Sequence, residues 1–506
     1  MVKNKYNMSN WLTYGPTSGH GNGTITITAG TLSELEERTA TIVASNSQYG
    51  VSDSVLITQY KASPTLLTPL TFKITSGGTI FWESSDYGYE KTISYSKNDG
   101  DWVEITSSTA GTSINVSTGD FIKFKGDNSS YYSADYDTHY SKFLDNCSFE
   151  VYGNIMSLIY GDNFADKTEL ASKYALSYIF GNCNGLTDAS YLLLPATTLA
   201  KSCYHDMFRD CKSLTKAPSI LPATTLTDNC YQYMFKGCTS LTTAPKLPAT
   251  TLASECYYEM FDGCTSLTSV PKLNATTLAG ACYYGMFRSC TGITTVPSNL
   301  LPATTLAGGC YSNMFQGCTS LTTAPALPAT TLANSCYHDM FRDCKSLTTA
   351  PALPATTLSP YCYRFMFQDC KSLTTAPALP ATTLAINCYY YMFRGCTSLT
   401  KAPSILPATT LTDYCYNSMF QDCTSLTTAP ELPATTTDLA NYCYDYMFYG
   451  CTNLNYVKCL STDYVFGESW LEGVALTGTF VKSPDLIYWT TGDDGIPKGW
   501  TVTNAS

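Results

Sequence analysis

The chain has 506 residues, 14% of them charged, with a formal net charge of −11. Lys and Arg never gather into a run, which speaks against a nucleic-acid partner, and no stretch of 18 apolar residues could cross a membrane. The count of 23 cysteines against four histidines raises a disulfide framework as a question and leaves little for a metal site.

Residues 1–63 contain short β-branched runs, Thr24-Ile25-Thr26-Ile27-Thr28, Arg38-Thr39-Ala40-Thr41-Ile42-Val43 and Val55-Leu56-Ile57-Thr58-Gln59, separated by glycine or polar turns. That pattern predicts a small β-sandwich. Trp11, the Gly21-Asn22-Gly23 turn, the Arg38 strand and the closing Gln59 resemble a BACON domain, a Bacteroidetes module. The resemblance implies carbohydrate binding; a spacer that binds nothing is the alternative.

Residues 64–160 alternate in period two through Phe72-Lys73-Ile74, Thr79-Ile80-Phe81-Trp82, Thr92-Ile93-Ser94-Tyr95, Trp102-Val103-Glu104-Ile105, Ile114-Asn115-Val116 and Phe121-Ile122-Lys123-Phe124. Turns such as Asn98-Asp99-Gly100 predict hairpins, and the whole reads as a second sandwich, Ig-like or jelly-roll. The segment from Phe149 to Leu158 is expected to lead into residues 161–200, the N-terminal cap of a solenoid.

From residue 201 to 458 the chain is a repeat array of ten copies. The first reads Cys203-Tyr204-His205-Asp206-Met207-Phe208-Arg209-Asp210-Cys211, then Ser213-Leu214, Ala217-Pro218 and Leu221-Pro222-Ala223-Thr224-Thr225-Leu226. Later first cysteines fall at Cys230, Cys256, Cys282, Cys310, Cys336, Cys362, Cys388, Cys415 and Cys443, steps of 26 to 28 residues. Such a period predicts a solenoid, and its degenerate ends, with Ala175 in place of a first cysteine, predict capping units. Counting from the first cysteine, Leu, Cys, Met and Cys occupy offsets −4, 0, +4 and +8, with Tyr at +1 and Phe at +5. At about 100° per residue these cover an arc of about 180°, which predicts a helix of about three turns followed by a short extended segment. The fold expected is two small all-β sandwiches followed by an α/β leucine-rich-repeat solenoid, closed by a distinct C-terminal cap at 459–506 that holds Trp470, Trp489 and Trp500. These tryptophans would cover the open core or stack on sugars. The Cys-Tyr-x-x-Met-Phe-x-x-Cys-x-Ser-Leu unit resembles the BspA-like leucine-rich-repeat surface proteins of Bacteroidetes.

On such a helix two cysteines eight apart would lie about 12 Å from each other, beyond the disulfide limit of about 7 Å. Equivalent cysteines on packed helices would be about 8 to 10 Å apart. Buried free thiols are therefore expected, with a ladder of bonds between non-equivalent cysteines as the alternative. One Thr of each pair, such as Thr242-Thr243, is expected to satisfy backbone groups along the stack.

Offsets +2 and +3 vary from copy to copy and are rich in aromatics. Tyr233, Tyr258, Tyr284, Arg364, Phe365, Tyr390, Tyr391 and Tyr446 make the candidate contact surface, an outer ridge suited to a sugar or protein partner or else a solvated face whose rings lean on neighbours. No motif for catalysis, cofactor or metal emerges, and Cys203 with His205, two apart on a helix, would point in different directions. No apolar stretch follows the basic residues of the first ten positions, so no secretory leader is expected there. With Bacteroidetes-type modules and reduced thiols, this points to a phage virion fibre or decoration protein, and the module content resembles crAss-like Bacteroides phage structural proteins. Its expected partners are a host surface glycan or protein receptor, other virion proteins and copies of itself, as in trimeric fibres. A bacterial cell-surface adhesin or glycan-binding protein is the rival.

Overall fold

A computed structural model describes residues 2–4, 12–15, 26–29, 38–46, 51–59, 65–133, 139–434, 439–462, 467–486, 489–492 and 494–506. They fall into two compact units, Met1–Thr68 and Pro69–Ser506.

The first unit holds β1 (Val2–Asn4), β2 (Leu12–Gly15), β3 (Thr26–Ala29), β4 (Arg38–Asn46) and β5 (Val51–Gln59). β4 pairs antiparallel with β1 and β5, and β2 pairs with β3. Trp11 and the 21–23 glycine turn, on which the BACON resemblance leans, lie outside the described residues.

In the second unit β6 (Leu70–Ser76), β7 (Gly78–Ser84), β8 (Thr92–Lys97), β9 (Val103–Thr106), β10 (Thr112–Val116), β11 (Phe121–Gly126), β12 (Ser141–Asp145) and β13 (Ser148–Asn154) contain the period-two segments expected there, except that Trp102 precedes β9. Asn98 and Asp99 take φ of 52° and 59°, as a tight hairpin between β8 and the next strand requires of its turn. The strands form two sheets, β10-β7-β12 and a larger one in which β13, β6, β11, β8 and β9 follow in order. Phe143 of β12 touches Phe72 of β6 and Phe124 of β11, with ring centroids 4.9 and 4.8 Å apart, so the sheets face each other across an aromatic core. Beyond β13 come a single helical turn, Ser157–Tyr160, then β14 (Glu169–Leu170) and β15 (Leu186–Leu193). β15 lies parallel to β13 and extends the larger sheet into the first repeat. The core runs without a break from Leu70 to Trp500.

The helix expected in every repeat is absent, and among the described residues Ser157–Tyr160 is the only α-helix. Each Cys-Tyr-x-x-Met-Phe-x-x-Cys stretch is a ribbon of consecutive turns instead. In the repeat that begins at Cys336, φ is 54° at Ser335, 55° at Asp339 and 60° at Asp343, one left-handed residue in every four. That reverses the winding before a right-handed helix can propagate. Backbone donors then alternate. The N–H groups of Met340 and Arg342 donate back to the carbonyls of Tyr337 and Asp339, at 3.2 and 3.1 Å. Those of Asp339, Phe341 and Asp343 donate to Arg364, Met366 and Gln368 of the next repeat, at 3.0, 3.0 and 2.9 Å. The ribbon thereby pairs its own buried donors and acceptors, half of them between copies. A helix would have spent all of these bonds on itself, leaving only side chains to join neighbours.

This backbone register stacks like residues in columns. The Phe rings at offset +5 lie 5.3 to 5.8 Å apart and the Tyr rings at +1 lie 5.5 to 5.9 Å apart, nearly parallel. Met340, Phe341 and Leu347 are fully buried, and each such side chain removed from water stabilises by about 1.5–3 kcal/mol. The first Thr of several pairs carries the stack on the opposite side: the hydroxyls of Thr242, Thr322 and Thr348 donate to the carbonyls of Thr215, Thr294 and Thr322 one repeat earlier, at 3.2, 3.0 and 3.4 Å.

All 23 cysteines are buried and unbonded. The free thiols are as expected, but the distance argument for them fails. Hydrogen-bonded backbones lie about 5 Å apart rather than 8–10 Å, which places equivalent cysteines within disulfide range. What occupies the second thiol of each repeat is a hydrogen bond. Cys238, Cys264 and Cys344 donate to the carbonyls of Phe208, Phe235 and Phe315 of the preceding copy at 3.0, 3.1 and 3.1 Å, and the same bond recurs along the column. Burial pushes the thiols up, to about 12 at Cys203, Cys318 and Cys459.

At the C-terminal end β17 (Tyr456–Cys459), β18 (Thr479–Lys482) and β19 (Thr501–Asn504) form a parallel sheet, after β16 (Thr198–Leu199) at the other end has paired with β14. Trp470 and Trp500 are buried, and Trp470 packs 6.3 Å from Phe448. They cover the end of the core rather than offer a face to sugars.

A thiol reagent at pH 8 should label none of the 23 cysteines in the native protein and all of them in guanidinium; rapid native labelling would show that the columns open. Gly395 has φ of 72°, and a Cβ added there would sit 2.5 Å from Asp369 Oδ1, so the carboxylate would have to shift as well. Gly395→Ala should therefore destabilise by about 1–2 kcal/mol, read as faster hydrogen exchange in the flanking repeats. A helix at this place would instead gain about 1 kcal/mol from the same change.

Candidate contact surface

Offsets +2 and +3 sit at the outer corner of the ribbon, where one residue precedes or occupies the left-handed position. The eight expected contact residues are all half-buried, none freely exposed. The expected helical ridge is thus a packed strip, because neighbouring copies are a hydrogen bond apart and bring successive side chains into contact.

The strip divides into two aromatic patches. In the first, Tyr233 meets Tyr258 edge-on at 5.5 Å, and Tyr258 stacks on Tyr284 at 4.4 Å and 3°. In the second, Phe365 stacks on Tyr391 at 5.4 Å, Tyr390 meets Tyr391 edge-on at 4.2 Å, and the Arg364 guanidinium lies 4.6 Å over Phe365 and 5.0 Å over Tyr390. Gly285, Ser312 and Asn313 separate them. Tyr446 stands apart; its hydroxyl donates to Glu468 Oε1 at 2.6 Å, and that bond pushes the phenol up to about 12. Tyr390 is raised to about 12, chiefly by burial.

An ionic net underlies the first patch. Arg288 donates from Nε and a terminal nitrogen to both oxygens of Asp262, at 3.0 and 2.7 Å, and reaches Glu259 at 3.0 Å. Lys236 binds Glu259 at 2.5 Å and Asp262 at 3.2 Å from the other side. Glu259 and Asp262 are buried, so removing either cation would leave a carboxylate short of charge, a loss of several kcal/mol in fully buried pairs. The sequence reading missed this net because its members come from three repeats; the alternating signs at offsets +3 and +6 were the available signal.

A hollow of about 410 Å³ opens beside the first patch, lined by Tyr132, Tyr174, Lys201, His205, Arg209 and Asn229 among others. It joins the two-sheet region to the first two repeats, which the sequence did not suggest. The Cys203 and His205 pair has no nucleophile to offer: Cys203 is buried and its thiol faces the carbonyls of Leu170 and Ser172 at 3.8 and 3.6 Å. Among the described residues no group of three or more His, Cys, Asp or Glu is placed to hold a metal.

A family model of BspA type leucine rich repeat regions, in six copies, matches in overlapping segments that together span residues 172–484, more than half of the chain. No curated protein and no solved structure matches.

Proposed function

Because the chain belongs to the BspA-type leucine-rich-repeat family, whose members are commonly surface- and adhesion-related, we propose that it is a non-catalytic contact protein that binds host-surface or gut glycans through its aromatic strip. The observation that carries this reading is the pairing of two aromatic patches with a planar guanidinium, Arg364, at the variable offsets of an otherwise uniform stack. Ring faces suit the apolar side of a sugar, and guanidinium and amide groups suit its hydroxyls. The protein serves as a virion fibre or decoration component, alone or as a homo-oligomer such as a trimer, held to other virion proteins. Its unbonded, buried thiols support assembly in a reducing compartment. A bacterial cell-surface adhesin is the second reading, favoured by the family's association with surfaces.

Replacing Tyr258, Tyr284, Tyr390 and Tyr391 together by Ala should weaken binding to host cells and to immobilised desialylated mucin glycans at least about tenfold, the loss expected for about 1.4 kcal/mol. Unchanged binding removes the strip from consideration. Mass spectrometry of purified virions and of host outer membranes separates the two settings: recovery in stoichiometric amount from particles supports the first, recovery from membranes alone the second.

A further inference from the structure

The five arginines of the repeat array divide by what they meet. Three lie against carboxylates at offsets +3 or +6: Arg209 reaches Asp206 at 3.2 Å, Arg288 reaches Asp262 at 2.7 Å and Arg342 reaches Asp339 at 3.4 Å. Arg364 and Arg394 meet rings instead, and among the described residues neither has an ion pair. Arg364 lies 4.6 Å over Phe365, 5.0 Å over Tyr390 and 5.6 Å over Tyr361, and Arg394 lies 5.1 Å over Tyr391. Tyr391 stacks on Phe365 at 5.4 Å and meets Tyr390 at 4.2 Å, so both cations border one aromatic surface. That surface continues at offset −1, where Tyr414 stands 6.3 Å from Tyr390 and stacks at 4.9 Å on Tyr442, itself 54% exposed.

Charge along the chain singles out the same place. Residues 344–412 carry Lys345, Arg364, Lys371, Arg394 and Lys401 against Asp369 alone, a net charge of +4 within a chain of −11. The single acid is engaged, since Asp369 Oδ2 accepts from Gln368 Nε2 at 3.1 Å. The sign reverses beyond, where residues 413–472 hold eight acids against Lys458. The stack does not need the two arginines: the repeats that begin at Cys310 and Cys415 fold with Ser312 and Asn417 at offset +2 and with Gln316 and Gln421 at +6. Arg364 Nε is buried with no acceptor, so the protein leaves this charge uncompensated, a cost that an incoming anion would offset.

From these observations we infer that the second aromatic patch binds an acidic glycan, with a sulfate or carboxylate group of the sugar held by Arg364 and Arg394 and the sugar ring lying on the tyrosines. This deepens the glycan reading above and rests on it. A guanidinium presents a planar fork of donors that fits either oxyanion, and the ring faces suit the apolar side of the sugar. The surrounding lysines draw a negatively charged chain towards the patch from a distance. The first patch lacks this chemistry, because its cations Lys236 and Arg288 are already bound to Glu259 and Asp262.

Three immobilised probes test the inference on the full chain: keratan sulfate, the same polymer desulfated, and hyaluronan, which carries carboxylates and no sulfate. The expected result is that at least one acidic probe binds about tenfold or more tighter than desulfated keratan and loses affinity as salt rises, the probe that does so naming the oxyanion. Arg364→Gln and Arg394→Gln should each remove about tenfold from that binding while leaving desulfated keratan unaffected. Lys246→Gln, the same loss of charge in a distant repeat, should change neither. If either glutamine variant lowers the thermal midpoint, Arg364→Lys and Arg394→Lys take its place, since they keep the charge and lose the fork; acidic-probe binding should still fall. If desulfated keratan binds as tightly as the acidic probes, if the arginine variants lose no more than Lys246→Gln, or if a single-stranded DNA of matching charge binds equally well, the acidic site is overturned while the contact reading stands. If neither these probes nor mucin glycans bind at all, the reading falls and this inference with it.

Discussion

The stack depends on one backbone arrangement, an N–H group that donates to the next copy alternating with one that closes a turn in its own. Half of the ribbon's donors leave the repeat, as at Asp339, Phe341 and Asp343. Register is a consequence, because a slip would face Phe carbonyls with the wrong donors. Once register is held, identical residues must lie over one another, and the Tyr, Phe, Met and Cys columns form. Even the thiol ladder depends on it, since the Phe carbonyl accepts both its own repeat's N–H and the next repeat's S–H.

The same arrangement explains where variation can be carried. Core offsets are confined by copies about 5 Å apart on either side, so a change at one copy is felt by its neighbours. Offsets +2 and +3 lie at the outer corner and tolerate His, Tyr, Arg, Asn or Gly. Close spacing gives even these positions side-chain neighbours, which turns single substitutions into patches such as Phe365 with Tyr390 and Tyr391. A surface of this kind is rigid and pre-ordered, which lowers the cost of binding an extended ligand.

Much of the ribbon was legible and was misread through the wrong period. Leu, Cys, Met and Cys recur every four residues, not every 3.6, and the arc of about 180° that a helix needs to hold them reflects that mismatch. The residue before each second cysteine is always Asp, Gly or Ser: Asp210, Gly237, Gly263, Ser289, Gly317, Asp343, Asp369, Gly395, Asp422 and Gly450. All have positive φ, the left-handed signal that ends a helix. The strands of residues 70–154 were readable because alternation is a local property of each segment. The ionic net of Lys236, Glu259, Asp262 and Arg288 was not, because its partners sit 23 to 29 residues apart.

The sequence by itself determined the repeat, its length, the buried columns, the degenerate ends and the variable offsets, since these are properties of composition and spacing along the chain. The four-residue period and the Asp, Gly or Ser before each second cysteine already speak against a helix, but tertiary structure alone decided where the outward donors of the turn ribbon go. A second copy in register offers each outward N–H a carbonyl at 2.7 to 3.2 Å. That partner exists only when repeats stack, so no single repeat could announce it.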